Sequence, residues 1–352
     1  MSQPQDDATR YQLPAAENRR IFVADIVPDH LTGPTPQDPA TAVFLLGQPG
    51  AGKTRVAQLI AEQLDARGGF VDVDSDLYKP YHPEYARLMA EDDRLMTLYT
   101  GPDGRAWMRQ AQQFVRGEDP LSGGQKLNAL VQEIAMDPQF LAETMQQYRA
   151  VGTRIEGCVL AVAQAVSEQG ILNRYAEQVR DRGQGRLTVP EKAQASYTGI
   201  PESCEVIVRA GLLHVGAVYR RGESEPRFSA DASELARTPL ALRQAVERER
   251  ARPLTREESE DFLAVQAKLR TVLPADFGPQ LDRIDALAAP LLTASRPGGP
   301  RVSSAAARSR STGTVKRPAQ PERGTTPPTD TTNAARQHRP DNGPDPRRGR
   351  GK

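Results

Sequence analysis

Apolar residues along the chain fall into two patterns. Short, nearly unbroken runs occur at 42–46 (AVFLL), 70–73 (FVDV), 128–131 (NALV) and 154–162 (RIEGCVLAV). Each has the length and content of a buried strand. Residues 212–220 (LLHVGAVYR) alternate well enough for a late strand. The second pattern has the helical period. Val56, Leu59, Ile60 and Leu64 fall on one face of a helix. Residues 15–26, 163–180, 240–252, 255–273 and 277–292 also read as helices, and another starts within 82–89. Asp137-Pro138 opens a helix through Tyr148, with Asp137 as its cap. Thr188-Val189-Pro190-Glu191 fits a capping box with proline in the first turn. Residues 32–39 form a Pro/Gly loop. Residues 100–127 carry no clear period, and RGEDPLSGGQ within them reads as a loop. Strands alternating with helices predict an α/β fold, a parallel sheet flanked by helices on both faces, with a helical C-terminal part.

Composition changes that picture at the C-terminal end. A length of 352 residues allows about two domains. From 296 onward, however, the chain is Pro, Gly, Ser, Thr and Arg with almost no large apolar residue, too little to offset its ordering entropy. The prediction is a frayed stretch at 1–14, one folded domain at 15–295 and a disordered tail at 296–352. The tail carries 13 Lys and Arg against 4 Asp and Glu, while the whole chain is +1. A basic tail is therefore joined to an acidic body. The body lacks the charge of a general nucleic-acid binder, which leaves any contact with nucleic acid to the tail. Cys158 and Cys204 make neither a disulfide framework nor a zinc site, and Cys158 reads as a buried thiol. No apolar stretch has the form of a signal peptide or the length of a membrane span, and the cytoplasm is the expected location.

The loop after the first strand carries the clearest chemistry. Gly47-Gln48-Pro49-Gly50-Ala51-Gly52-Lys53-Thr54 fits G-x-x-x-x-G-K-[ST] at every fixed position. Glycines let the backbone curl its N–H groups toward phosphate oxygens. Lys53 reaches the outer phosphates of ATP, and the Thr54 hydroxyl is placed to ligate Mg²⁺. The helix that follows adds a field favourable to anions. This predicts a P-loop nucleotide-binding fold. A phosphate loop alone does not separate a motor, a GTPase and a small-molecule kinase.

The second strand narrows the choice. FVDVDSDLYKPYHPEY puts Asp74 and Asp76 just past its end, on the sheet edge shared with the phosphate loop. A carboxylate there can orient an acceptor hydroxyl and take its proton, or hold Mg²⁺. Asp76 is the candidate base. Asp74 is equally readable as metal support or as a helix cap.

GQPGAGKT followed by VDVDSDLYKPYHPEY resembles the zeta toxin family, bacterial P-loop kinases of toxin–antitoxin systems. ENRRIFVADIVPDHLTG upstream resembles the leader helix of its actinobacterial members. GCVLAVAQAVSEQGILNRYAEQVRDRGQGRLTVPEKAQASYTGIPES downstream resembles a later strand, helix and lid. The resemblance implies transfer of the ATP γ-phosphoryl to the 3′-hydroxyl of UDP-N-acetylglucosamine, and a small helical antitoxin over the nucleotide site. It implies that Lys53 and Thr54 hold phosphate and metal, that Asp76 is the base, and that Arg174 and Arg186 clamp the transferring group. Arginine's planar fork suits that task on chemical grounds as well. One stretch departs from the pattern. Where the family carries a sugar-holding Glu-Gly-Thr, this chain has Gln132-Glu133-Ile134, and an arginine position becomes Met136. A shift of one residue turns a strand side chain to the other face, so Glu133 is not a simple replacement. The family's acceptor with different contacts, another hydroxylated metabolite, and a nucleotide-binding regulatory module all remain open.

Overall fold

The run at 42–46 becomes the central strand β1 (Thr41–Leu46), buried along its whole length. The structure is a computed structural model that describes residues 9–293. Around β1 the chain forms α1 (Ala15–Ile21), α2 (Thr54–Asp65), β2 (Val71–Val73), α3 (Ser75–Tyr78), α4 (Tyr85–Glu91), α5 (Met96–Tyr99) and α6 (Gly101–Val115). There follow β3 (Ala129–Glu133), α7 (Pro138–Ala150), β4 (Arg154–Ala161), α8 (Gln164–Arg182), α9 (Pro190–Arg209), β5 (Val215–Arg220) and β6 (Phe228–Asp231). The described chain ends with α10 (Ala232–Arg237), α11 (Ala241–Ala251), α12 (Arg256–Val272) and α13 (Gly278–Ala288). The expected tail at 296–352 and the first eight residues of the expected frayed stretch lie outside the described residues.

The strands form one sheet in the order β2-β3-β1-β4-β5-β6, parallel except for β6. Leu46 is paired with Glu133 on one side and Val159 on the other. The carboxyl ends of β1, β2 and β3 therefore meet at one edge, where ligands bind in open α/β sheets. On one face Phe44, Leu46, Val73 and Val131 pack with Trp107, Met145 and Ile200. On the other, Val43 and Leu45 pack with Val56, Ile60 and Leu64 of α2, and Cys158 joins them as a free buried thiol. A third apolar cluster binds α8 to α12 and α13 through Leu172, Phe262, Leu281 and Ile284. None of the described helices is long and apolar enough to cross a membrane.

Four local readings need correction. Residues 9–14 are not frayed: Leu13 N–H donates to the Asp103 carboxylate (3.1 Å), and the Tyr11 carbonyl accepts from His82 Nε2 (2.9 Å). The unreadable segment holds the 15-residue α6, whose Trp107, Met108, Ala111, Phe114 and Val115 are buried. Its opening Gly101-Pro102-Asp103-Gly104 hid that period, because glycine and proline depress helical propensity. The capping box before α9 does not form; Val189 stands at the cap and contributes no side-chain bond. The short antiparallel β6 escaped notice because four residues carry little periodicity.

Candidate functional site

The phosphate loop is braced from behind. Gly50 sits at φ +76°, and a Cβ there would lie 2.0 Å from the Ser167 carbonyl oxygen of α8. Gly170 faces it, since a Cβ at 170 would lie 2.4 Å from the Gly50 oxygen. The loop and α8 thus touch backbone to backbone, one turn before Arg174. Gln48 is buried and donates to the Val162 carbonyl (2.8 Å) and the Ser167 hydroxyl (3.3 Å). Its own oxygen accepts from Arg250 (3.1 Å), which also donates to the Tyr197 carbonyl (2.6 Å) and lies 4.1 Å from the Tyr197 ring centre. Arg250 comes from α11, 202 residues away along the chain, and no local signal marks it.

In front of the loop lies a cleft of about 1040 Å³, lined by every residue from Gln48 to Thr54 and by Asp74, Asp76, Arg174 and Arg186. Lys53 Nζ donates to the Gly47 carbonyl (3.0 Å). Burial lowers its pKa, while Asp74, Asp76 and Glu133 pull it back up. Thr54 opens α2 and is exposed. Asp74 Oδ1 caps α3 by accepting from the Asp76 N–H (2.9 Å), so the capping role is real. Burial, and then the Asp76 charge, raise the Asp74 pKa.

Asp76 is the electrostatic centre. Its Oδ1 lies 2.5 Å from Lys79 Nζ and 3.6 Å from an Arg186 nitrogen. Burial pushes its carboxyl up, but Lys79, Arg186 and Arg174 outweigh burial and hold it below the ordinary carboxylate range. Arg174 donates to the Thr188 hydroxyl (3.2 Å), the group that was expected to cap α9. Its Nε is buried without a partner, and burial followed by Arg186 lowers its pKa. A buried guanidinium N–H without a partner is costly, and Arg174 is one of the residues lining the cleft. The loop carrying Arg186 is pinned by Gly185 N–H to Asp93 (2.7 Å) and by Arg186 N–H to Gln178 (2.8 Å). Lys53, Asp74, Asp76, Arg174 and Arg186 are therefore brought together.

Glu133 joins them, which register logic from the sequence did not anticipate. The pairing of Leu46 with Glu133 puts its carboxylate in the field of Lys53. Burial raises its pKa from 4.5 to about 7, with Lys53 opposing and Asp74 reinforcing the rise. The neighbouring Gln132 amide instead donates to both Asp72 carboxylate oxygens (3.0 and 3.3 Å). Among the described residues no cluster of three or more His, Cys, Asp or Glu could hold a metal alone. Thr54 and the uncommitted Asp74 Oδ2 are suitable partners for a cation shared with phosphate.

The raised Glu133 value carries a stability prediction. Folded protein holds that proton more tightly than unfolded chain, so stability falls as pH rises from 4.5 to about 7. In nucleotide-free protein, Glu133→Gln should remove that fall. The variant should exceed the parent by about 3 kcal/mol at pH 8 and converge with it near pH 4. Urea unfolding across pH 4–8 checks this; a constant difference between the two proteins would refute it.

Comparison with known proteins fits this geometry. The family model described as Zeta toxin matches residues 28–231, more than half of the chain. Toxin zeta of Enterococcus hirae is 22% identical over 278 residues, covering 73% of this chain and 91% of that protein. Toxin zeta of Streptococcus pyogenes is also 22% identical over 278 residues, with the same coverage of 73% and 91%. A solved structure from the PezAT chromosomal toxin–antitoxin system of Streptococcus pneumoniae has a TM-score of 0.60 at 15% identity, covering 77% of this chain and 99% of that one. At that identity the likeness speaks for the fold.

Proposed function

The chain belongs to the zeta toxin family, and on that premise we propose that it is an ATP-dependent kinase of a toxin–antitoxin system whose acceptor is a sugar hydroxyl. The 3′-hydroxyl of UDP-N-acetylglucosamine is the first acceptor to test. Asp76 supports this reading most: three cations hold it ionised in the same cleft as the phosphate loop.

When bound, Mg-ATP supplies the phosphoryl group and the metal's neutralising charge. Backbone amides of residues 47–54 and Lys53 hold the outer phosphates. Thr54 and Asp74 Oδ2 are the groups on offer to Mg²⁺. Arg174 and Arg186, which line the cleft, face the charge that spreads over the equatorial oxygens. Transfer forms a bond from the acceptor oxygen to the γ-phosphorus, breaks the bond to the bridging oxygen and releases ADP; the hydroxyl proton passes to Asp76. A carboxylate held so low is a weak base. Asp76 therefore acts chiefly by orienting the hydroxyl and takes the proton late, as suits a loose transition state. Residues 15–295 form the kinase domain in this reading, the cytoplasm supplies ATP, and a small helical antitoxin covers the nucleotide site.

Incubating the protein with Mg-ATP and UDP-N-acetylglucosamine should yield a product heavier by one phosphate in mass spectrometry. The Gln132–Asp72 pair favours a second reading, because part of the acceptor wall is already satisfied within the protein. Product from a different hydroxylated metabolite in a parallel panel would move the assignment to that acceptor. ATP binding with no product from any acceptor would support a regulatory module instead.

A further inference from the structure

The sheet order gives the cleft two ends. β2, which leads into Asp76, lies two strands from β1 on one side, and β5 lies two strands away on the other. At about 4.8 Å per strand their tips stand roughly 19 Å apart, with the phosphate loop between them. Arg221 is the first residue past β5, which runs parallel to β4, and it lines the same cleft as the loop. Its side chain lies against glycines. A Cβ at Gly52 would lie 3.2 Å from Arg221 Nε, and one at Gly170 would lie 3.3 Å from its Nη1. Nη1 also donates to the Gly50 carbonyl, at 3.4 Å. Gly170 stands one turn before Arg174 on α8, and both line the cleft. The Arg221 guanidinium therefore occupies space that a side chain at 170 would fill. Both flanks of Arg221 are anchored. Arg220 is buried and donates to the two Glu258 carboxylate oxygens (2.6 and 2.5 Å). Ser224, in the turn that follows, accepts from Arg55 at the start of α2 (2.9 Å). Glu223 is paired with Arg227, and among the described residues Arg221 has no ion pair. Crowding alone lowers its pKa. A solvated surface arginine would need no ligand, but this one is held against the glycines over which phosphate is bound.

We propose that Arg221 is a donor-specificity residue, whose planar guanidinium stacks on the nucleobase and separates a nucleotide from a bare triphosphate. This deepens the kinase reading and rests on it. Transfer to a hydroxyl beside Asp76 puts the γ-phosphate toward the β2 end of the cleft, so the nucleoside runs toward β5. The outer phosphates are served by the loop amides, Lys53, Arg174 and Arg186. The first N–H groups of α2 serve the inner one. What is left for the β5 end is an uncharged aromatic ring. Arginine suits a ring face better than lysine does, because its group is planar and weakly hydrated.

The test uses full-length protein with Mg²⁺ at about 0.5 M salt, where charges more than a few ångström apart are screened. A non-hydrolysable ATP analogue and inorganic triphosphate are titrated calorimetrically. The parent should bind the analogue at least about tenfold more tightly than triphosphate. Arg221→Ala should weaken the analogue about tenfold and leave triphosphate within about twofold. Arg221→Lys keeps the charge but not the plane, and should weaken the analogue at least about threefold with triphosphate again unchanged. Retained triphosphate binding shows that a variant is folded; should Arg221→Ala fail to fold, Arg221→Lys carries the test. Equal losses for the two ligands in folded Arg221→Ala would assign Arg221 to a phosphate and overturn the proposal. So would unchanged analogue binding in Arg221→Lys, or a parent with no preference for the analogue. Failure of the kinase reading is a separate result: no acceptor in the transfer panel gains phosphate, while the analogue and triphosphate still respond differently to Arg221.

Discussion

Asp76→Asn should lower phosphoryl transfer about 10³-fold while leaving affinity for an ATP analogue within about threefold. The amide is nearly isosteric, so packing is preserved, but it presents a donor where the acceptor hydroxyl needs an oxygen. It also removes the one carboxylate that Lys79, Arg186 and Arg174 share. The clamp arginines then lose the charge that positions them before the acceptor arrives. Comparing kcat/KM from a mass-spectrometric transfer assay with analogue Kd from calorimetry separates chemistry from binding. Transfer within about tenfold of the parent would mean that Asp76 neither orients the hydroxyl nor receives its proton. Because the carboxyl is held below the ordinary range, parental activity should not be lost through Asp76 as pH falls to 5.

Gly50→Ala should abolish nucleotide binding and destabilise the protein by roughly 2–5 kcal/mol. Two costs combine. A side chain is forced into the left-handed region at φ +76°, and its Cβ would lie 2.0 Å from the Ser167 backbone oxygen. Backbone cannot rotate away as a flexible side chain can. Either the loop lifts from α8 or α8 shifts, and in both cases the amides and Arg174 lose their common frame. Gly183→Ala provides the control, since Gly183 has φ +75° but nothing within 4 Å of the added carbon. It should cost only about 1 kcal/mol and leave binding intact. Urea unfolding with analogue titration reads both variants. Similar losses in the two would show that conformation alone, not the contact with α8, sets the effect.

The phosphate loop and the Asp74–Asp76 pair were legible because their chemistry is written in adjacent residues. Glycine spacing sets backbone curvature, and a strand end followed by carboxylates places them on the ligand edge. Strong periods also located β1, α2, β4 and α8. Where local signals conflicted, the reading failed: α6 was hidden by its own glycines and proline, and Thr188 serves Arg174 instead of capping α9. Glu133 was set aside by counting along one strand, yet its surroundings depend on its register with β1.

The amino-acid order by itself determined a glycine-rich loop at residues 47–54 that opens a helix, and a pair of carboxylates just past the end of the next strand in sequence. Tertiary structure decided that Lys79, Arg174 and Arg186 converge on Asp76, that Glu133 shares the field of Lys53, and that Arg250 holds the loop from beneath. The physical reason is range. Backbone conformation is dictated by neighbours in sequence, whereas charge pairing and desolvation depend on which faces of distant elements come into contact.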